Sequence, residues 1–164
     1  MAKFEKLLLM ILVLCGVLVP SLFAQQVTTE MIGPLSGSFT LTYPQNPICP
    51  ASGQQDTITV SGNVHVSATV DTTQNTVDYH INFLSVKGTG TIVSKYVASG
   101  ATDLLDQGFP GANISVPIQI SANLFPNNPC RAAFPQNPVF PVVVTVSFGS
   151  DFTLNTVTAS VGTT

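Results

Sequence analysis

The chain has 164 residues, a length that fits one domain, with a formal net charge of −3 and only 8% charged residues. Beyond residue 24 its strong cations are Lys87, Lys95 and Arg131 alone. Without a basic run or stripe to displace counterions from phosphates, the sequence argues against nucleic acid as a partner.

The chain opens as an export signal. Lys3 and Lys6 flank a short polar start, an apolar run extends from Leu7 to Val19, and Pro20 and Ser21-Leu22-Phe23-Ala24 follow. That order is the one a secretory signal peptide shows, with cleavage expected after Ala24. The apolar run of about 13 residues falls short of the roughly 20 a membrane-spanning helix needs, so no stable span is expected after cleavage. Cys15 offers a second reading, lipid attachment, but Leu14 stands where a small residue is wanted. Cys15 is better read as one more apolar residue of the run. Cys49 and Cys130 then remain as an even pair, for which an oxidising compartment predicts one intramolecular disulfide.

Residues 25–35 read as an N-terminal arm turning at Gly33-Pro34, ahead of a single domain over 36–164. Phe39 to Tyr43 alternates apolar and polar residues. Ile58 to Val70 does so over thirteen residues, with Ile58, Val60, Val64, Val66, Ala68 and Val70 on one face. Period two over that length marks a half-buried strand, and Gly62 within it marks a bulge. A turn at Asp71–Asn75 leads to a strand with Val77, Tyr79, Ile81 and Phe83 inward. The two strands predict a hairpin in one of two registers, with His65 opposite His80 or opposite Asn82.

Gly88-Thr89-Gly90 reads as a break before a strand over Thr91–Ala98. Asp103–Asp106 reads as one helical turn inside an irregular segment. Ile114 to Leu124 alternates again, and Pro117, which cannot donate to a ladder, places that strand at an edge or bulge. Val139–Phe148 is nearly continuous in apolar residues and is expected to be central. Phe152–Val161 closes the chain after a Gly149-Ser150-Asp151 turn. About seven strands with short turns predict an all-β fold, an antiparallel β-sandwich first and a small β-barrel second.

Three short segments echo one another: Tyr43-Pro44-Gln45-Asn46-Pro47, Phe125-Pro126-Asn127-Asn128-Pro129 and Phe134-Pro135-Gln136-Asn137-Pro138. Proline stiffens such loops. They are expected at one end of the domain, stapled by Cys49–Cys130, and in a functional version they would present Tyr43, Phe125, Phe134 and Phe140 to a ligand.

Chemistry-bearing residues are few. His65, His80 and Asp78 occupy outward positions of the hairpin. Two imidazoles and a carboxylate suit a transition metal, provided the register sets His65 opposite His80. Solvent-facing histidines with no ligand are the plain alternative. Asp103 and Asp106 are acids close in sequence, and surface loop acids are their ordinary reading. No Gly-x-Ser-x-Gly elbow occurs, and Gly88-Thr89-Gly90 lacks the helix a phosphate loop requires. No catalytic residue and no cofactor is assigned.

Val86-Lys87-Gly88-Thr89-Gly90, followed by Lys95-Tyr96-Val97-Ala98-Ser99-Gly100-Ala101 and preceded by the histidine-bearing hairpin, resembles small secreted bacterial β-domain proteins of unknown function. The resemblance covers residues 58–101. The Thr-Gly pair often seen before Lys-Tyr in that pattern is Val93-Ser94 here. The resemblance implies a secreted bacterial β domain and no particular activity.

The expectation is a secreted or periplasmic, non-enzymatic β module, monomeric, with a structural or ligand-binding role toward an unidentified extracytoplasmic ligand or envelope component. Two alternatives accompany it. One is a carrier enclosing a small apolar ligand in a barrel cavity. The other is a secreted hydrolase or metal-binding protein using His65, His80 and Asp78.

Overall fold

The computed structural model describes residues 25–93, 95–126, 129–134 and 138–162. The signal-peptide reading of residues 1–24, Cys15 included, lies outside them.

Alternation drives the architecture. The described residues hold eight strands: β1 Gln26–Thr42, β2 Gln55–Asp71, β3 Thr76–Gly90, β4 Tyr96–Ser99, β5 Ala101–Gly108, β6 Ser115–Pro126, β7 Val139–Phe148 and β8 Leu154–Val161. A short 3-10 helix, Pro129–Ala133, sits between β6 and β7. On β2 the inward set Ile58, Val60, Val64, Val66, Ala68 and Val70 is buried, and on β7 Val142, Val144 and Val146 have no exposed surface. Each fully buried valine or isoleucine contributes about 1.5–3 kcal/mol of apolar transfer free energy, so the alternation decides which face turns inward. Phe39 stacks on Phe140 with ring centroids 5.1 Å apart, and Phe109 meets Phe148 edge-on at 5.1 Å.

The strands form one mixed sheet rather than two separate antiparallel sheets. Its order is β2-β1-β8-β7-β6-β4-β3-β5, and β2 also pairs with β3, so the pairings come round in a near-ring. β1 and β8 run parallel, through Leu35↔Ala159 and Ser36↔Ser160. Joining β8 to β1 merges the two sheets of the expected sandwich, and an adjacency between the first and last strands is invisible to local pattern.

Several local expectations are corrected. The N-terminal arm is the first half of β1, because Gln26 to Thr42 pairs with β2 along its whole length and Pro34 is accommodated opposite Asn63. Gly88-Thr89-Gly90 continues β3 instead of breaking it, and among the described residues of the following segment only Tyr96–Ser99 is strand. Asp103–Asp106 belongs to β5, not to a helical turn, because Ala101 to Gly108 pairs along β3. Gly62 does mark an irregularity, a register shift between Ser61 and Asn63. β7 is central, between β6 and β8.

β4 and β5 lie end to end on one edge of β3, and Phe83 N–H donates to the Gly100 carbonyl between them. β6 pairs with β4 only from Asn123 to Pro126. Among the described residues, Ser115–Ala122 of β6 has a strand partner on the β7 side alone, so Pro117 stands on an open edge as its missing N–H requires.

One glycine is set by this packing. A Cβ on Gly33 would overlap the Val157 carbonyl oxygen where β1 passes β8, whereas one on Gly108 would meet nothing within 4 Å. Gly33→Ala is therefore expected to lower the melting temperature by several degrees, through an overpacking cost of about 1–3 kcal/mol. Gly108→Ala should melt within about one degree of the parent. Equal melting of the two variants in a calorimetric scan would contradict the close β1–β8 approach.

Candidate functional site

The hairpin adopts the register that sets His65 opposite Asn82 and His80 opposite Ser67. The three residues first considered for a metal therefore go to different partners. His65 Nε2 lies 3.4 Å from Glu30 Oε2 on β1. His80 Nδ1 donates to Asp103 Oδ1 on β5 at 2.5 Å, and His80 Nε2 accepts from the Asn82 amide at 2.7 Å. Asp78 Oδ1 accepts the backbone N–H of Asp106 at 2.7 Å. Among the described residues no group of three or more His, Cys, Asp or Glu side chains is arranged to hold a metal ion. His80 and Asp103 form an oriented imidazole–carboxylate pair, with Ser67 across the strand. Nε2, the nitrogen a serine would need as base, is occupied by Asn82.

The disulfide end is more elaborate. Cys49 and Cys130 are bonded across 81 residues of sequence, joining the loop after β1 to the 3-10 helix after β6. Of the aromatics expected to face a ligand there, Tyr43 and Phe140 are buried instead. Tyr43 packs on Phe134 with centroids 5.4 Å apart. Their burial follows from phase, since Phe140 continues the inward set of β7.

Beneath the loops lies a buried carboxylate, Asp56, that the sequence analysis did not single out. Asp56 has no exposed surface. Its Oδ1 accepts from Thr91 N at 2.6 Å, Thr91 Oγ1 at 2.7 Å and Ile92 N at 3.0 Å. Its Oδ2 accepts from Val93 N at 3.0 Å and Tyr96 Oη at 2.8 Å. The Tyr96 hydroxyl hydrogen is engaged by Asp56, so Tyr96 Oη accepts in turn from the Tyr43 hydroxyl. Burial alone would raise the Asp56 pKa, but the hydrogen bonds from Val93, Thr91, Ile92 and Tyr96 outweigh it and hold the carboxyl below its ordinary value. A signal for this was available, because Asp56 is in phase with Ile58 and Val60 and so had to point inward.

All three tyrosines are buried, Tyr43 and Tyr96 in the Asp56 network and Tyr79 against Phe148. Burial pushes Tyr79 up to about 12 and, with hydrogen bonds to Tyr43 and Asp56, raises Tyr96 further. Burial likewise raises Tyr43. Because the chain has three tyrosines and no tryptophan, phenolate absorbance reads them cleanly. The folded protein is expected to show no ionisation step near pH 10, and the step should return in denaturant. Stability should fall as pH rises above about 10, because the unfolded chain there loses protons that the fold retains. A full three-tyrosine step near pH 10 before unfolding would refute the buried network.

On the outer side of the same end, Val97 on β4 pairs with Phe125 on β6. Arg131, carried by the 3-10 helix, places its guanidinium 5.2 Å from the Phe125 ring centroid. Val97, Phe125, Pro126 and Arg131 line an open cleft of about 330 Å³.

Comparison with protein-family models, characterised proteins and solved structures finds no match to this chain.

The candidate site is therefore defined by geometry alone. It comprises an apolar floor of Val97, Phe125 and Pro126, a guanidinium at its rim, and a disulfide and a buried carboxylate network that hold the flanking loops. Sequence reasoning had Phe125 among the ligand-facing aromatics and did not single out Arg131. Only the fold sets Arg131, on the 3-10 helix, over the ring of Phe125 six positions earlier in the chain. A second cleft, of about 460 Å³, lies over Glu30, Met31, Ile32 and His65. Its charged members already face each other.

Proposed function

We propose that this protein is an extracytoplasmic, non-enzymatic β module of a bacterium. It acts in the cell envelope or outside the cell as a monomer with a ligand-binding role, through the cleft at its disulfide end. The observation that carries this reading is the Cys49–Cys130 bond. Such bonds persist in oxidising compartments and are rare in the cytosol. The export signal read in residues 1–24 and the resemblance of residues 58–101 to small secreted β-domain proteins point the same way. A surface cleft is favoured over an enclosed cargo cavity because the interior is filled by the protein's own side chains, with Val64, Val66, Ile81, Val144 and Phe148 all lacking exposed surface. The occupied Nε2 of His80 favours a structural role for the His80–Asp103 pair over hydrolysis.

The test is expression of the full chain in a bacterial host, followed by fractionation and intact-mass measurement with and without thiol alkylation. The expected result is an extracytoplasmic chain beginning at Gln25 with both remaining cysteines protected from alkylation. A full-length chain retained in the cytosol with two free thiols would overturn the proposal.

A further inference from the structure

We propose that the disulfide-end cleft binds a small organic anion with a flat apolar body, an aryl carboxylate being the simplest member of the class. The inference rests on the ligand-binding reading above and names its ligand.

The argument begins with where the fold puts its positive charge. Along the chain, Lys87, Lys95 and Arg131 are scattered over 45 positions. In the fold they share one outer surface. Lys87 on β3 is the cross-strand partner of Val97, and Val97 is in turn the partner of Phe125. Arg131 sits over the Phe125 ring. Lys95 lies two residues before Val97 on the same exposed side, because the intervening Tyr96 points inward. Every strong cation among the described residues thus borders the Val97–Phe125 pair. None of them has a carboxylate within ion-pair distance among the described residues, since the ion pairs found there both belong to histidines.

The acids do not neutralise this patch. Asp71, Asp78, Asp103, Asp106 and Asp151 lie toward the β2–β3 turn, at the other end of the strands. Lys87 lies nine positions beyond Asp78 on β3, roughly 30 Å along a strand, against a Debye length of about 8 Å at physiological ionic strength. Glu30 pairs across from Ser67 and faces His65. Asp56, the acid at the cationic end, is buried and already accepts five hydrogen bonds on the inner side. A chain with net negative charge therefore presents a net positive charge at one end, three exposed cations against one buried carboxylate.

The cleft adds shape to that charge. Its volume of about 330 Å³ is at the lower end of small-molecule sites. Its floor is apolar, and its guanidinium can bind a carboxylate through two parallel N–H donors. Arg131 lies against the ring of Phe125, which holds the planar donor group at the rim. Three charges neutralise too few phosphates for strong nucleic-acid binding.

The experiment uses the oxidised, folded chain and three probes: 2-naphthoate, its neutral counterpart 2-naphthalenemethanol, and acetate. Binding is read by isothermal titration and by amide shift perturbation. The expected result is saturable binding of naphthoate, at least tenfold tighter than either other probe, with shifts centred on Val97, Phe125 and Arg131. Arg131→Gln should weaken naphthoate about tenfold, the loss of one charge-assisted hydrogen-bonding group. Phe125→Ala should weaken both aromatic probes together. Lys87→Gln, carried on β3 and not on the disulfide-bonded 3-10 helix, keeps the test open if the Arg131 variant misfolds, and should weaken naphthoate severalfold. Equal binding of naphthoate and the alcohol, shifts centred elsewhere, or no saturation would overturn the proposal. Such a failure leaves the extracytoplasmic reading intact, because that reading falls only on the fractionation result.

Discussion

Replacing Asp56 with alanine is expected to destabilise the fold by about 3–5 kcal/mol, the range for breaking a buried charged network by removing one partner. The carboxylate is the common acceptor for three consecutive backbone N–H groups, Thr91, Ile92 and Val93, and for the Tyr96 and Thr91 hydroxyls. Removing it leaves the buried Val93 N–H and Tyr96 hydroxyl without their acceptor, while the part-buried Thr91 and Ile92 donors turn to solvent. Among the described residues no buried side-chain polar atom lacks a partner in the native arrangement, so this cost would be new. Gly90 belongs to the same design, since a Cβ there would overlap Asp56 Oδ2. Urea unfolding should show a large fall in midpoint with little change in slope. Tyr96→Phe, which removes one donor and leaves the acceptor served by four others, should cost only about 1–2 kcal/mol.

The pH dependence has a definite sign. The folded pKa of Asp56 lies below the ordinary 3.8. Its contribution is therefore complete above that value and is lost as pH falls through the folded pKa. Wild-type protein should lose stability steeply only in strong acid, and Asp56→Ala should show a shallower acid limb. An Asp56→Ala midpoint equal to wild type would show that the loop does not depend on this carboxylate.

Reduction of Cys49–Cys130 is the second large expected effect. The bond closes a loop across 81 residues of sequence, which in the chain-entropy treatment stabilises the fold by about 4–5 kcal/mol. For a domain of this size the melting temperature should fall by roughly 10 °C or more on adding reductant. The Cys49→Ser, Cys130→Ser double variant should match the reduced protein. Because Cys130 and Arg131 are neighbours on one short 3-10 helix, naphthoate binding should weaken in parallel. A melting temperature unchanged within about 2 °C would contradict a stabilising role for the bond.

The two effects concern the same end of the molecule by different routes. The disulfide acts on the unfolded chain, by limiting how far the β1–β2 loop and the β6–β7 segment can separate. Asp56 acts on the folded one, by gathering the donors of the β3–β4 loop. Together they hold the strand ends on which Val97, Phe125 and Arg131 are mounted.

How much of this was legible can be followed residue by residue. The alternation of Ile58–Val70 placed β2 and its inward face correctly, and the apolar run of Val139–Phe148 placed β7 at the centre. Gly62 and Pro117 announced a bulge and an open edge, because each reports a backbone property of its own residue. The Pro-rich loops misled about Tyr43 and Phe140. A loop context argues for exposure, yet both rings fall in phase with buried strand positions. The histidine pair could not be resolved from sequence, since two registers kept the same apolar face inward and differed only in which outward residues met.

What the sequence determined by itself was the class of structure and its covalent staple: period-two burial in an all-β chain, with one cysteine pair, Cys49 and Cys130, beyond residue 24. These are local or combinatorial properties, because a side chain's face follows from its position along the strand and two thiols have one intramolecular pairing. Only the tertiary structure decided that β8 joins β1 in parallel to bring the sheet into a near-ring, that Asp56 collects the N–H groups of the Thr91–Val93 loop, and that three scattered cations border one aromatic cleft. Each of these depends on which distant segments meet. Backbone donors are present at every non-proline residue and so leave no trace in composition, and charges separated along the chain become neighbours only when strand register is set.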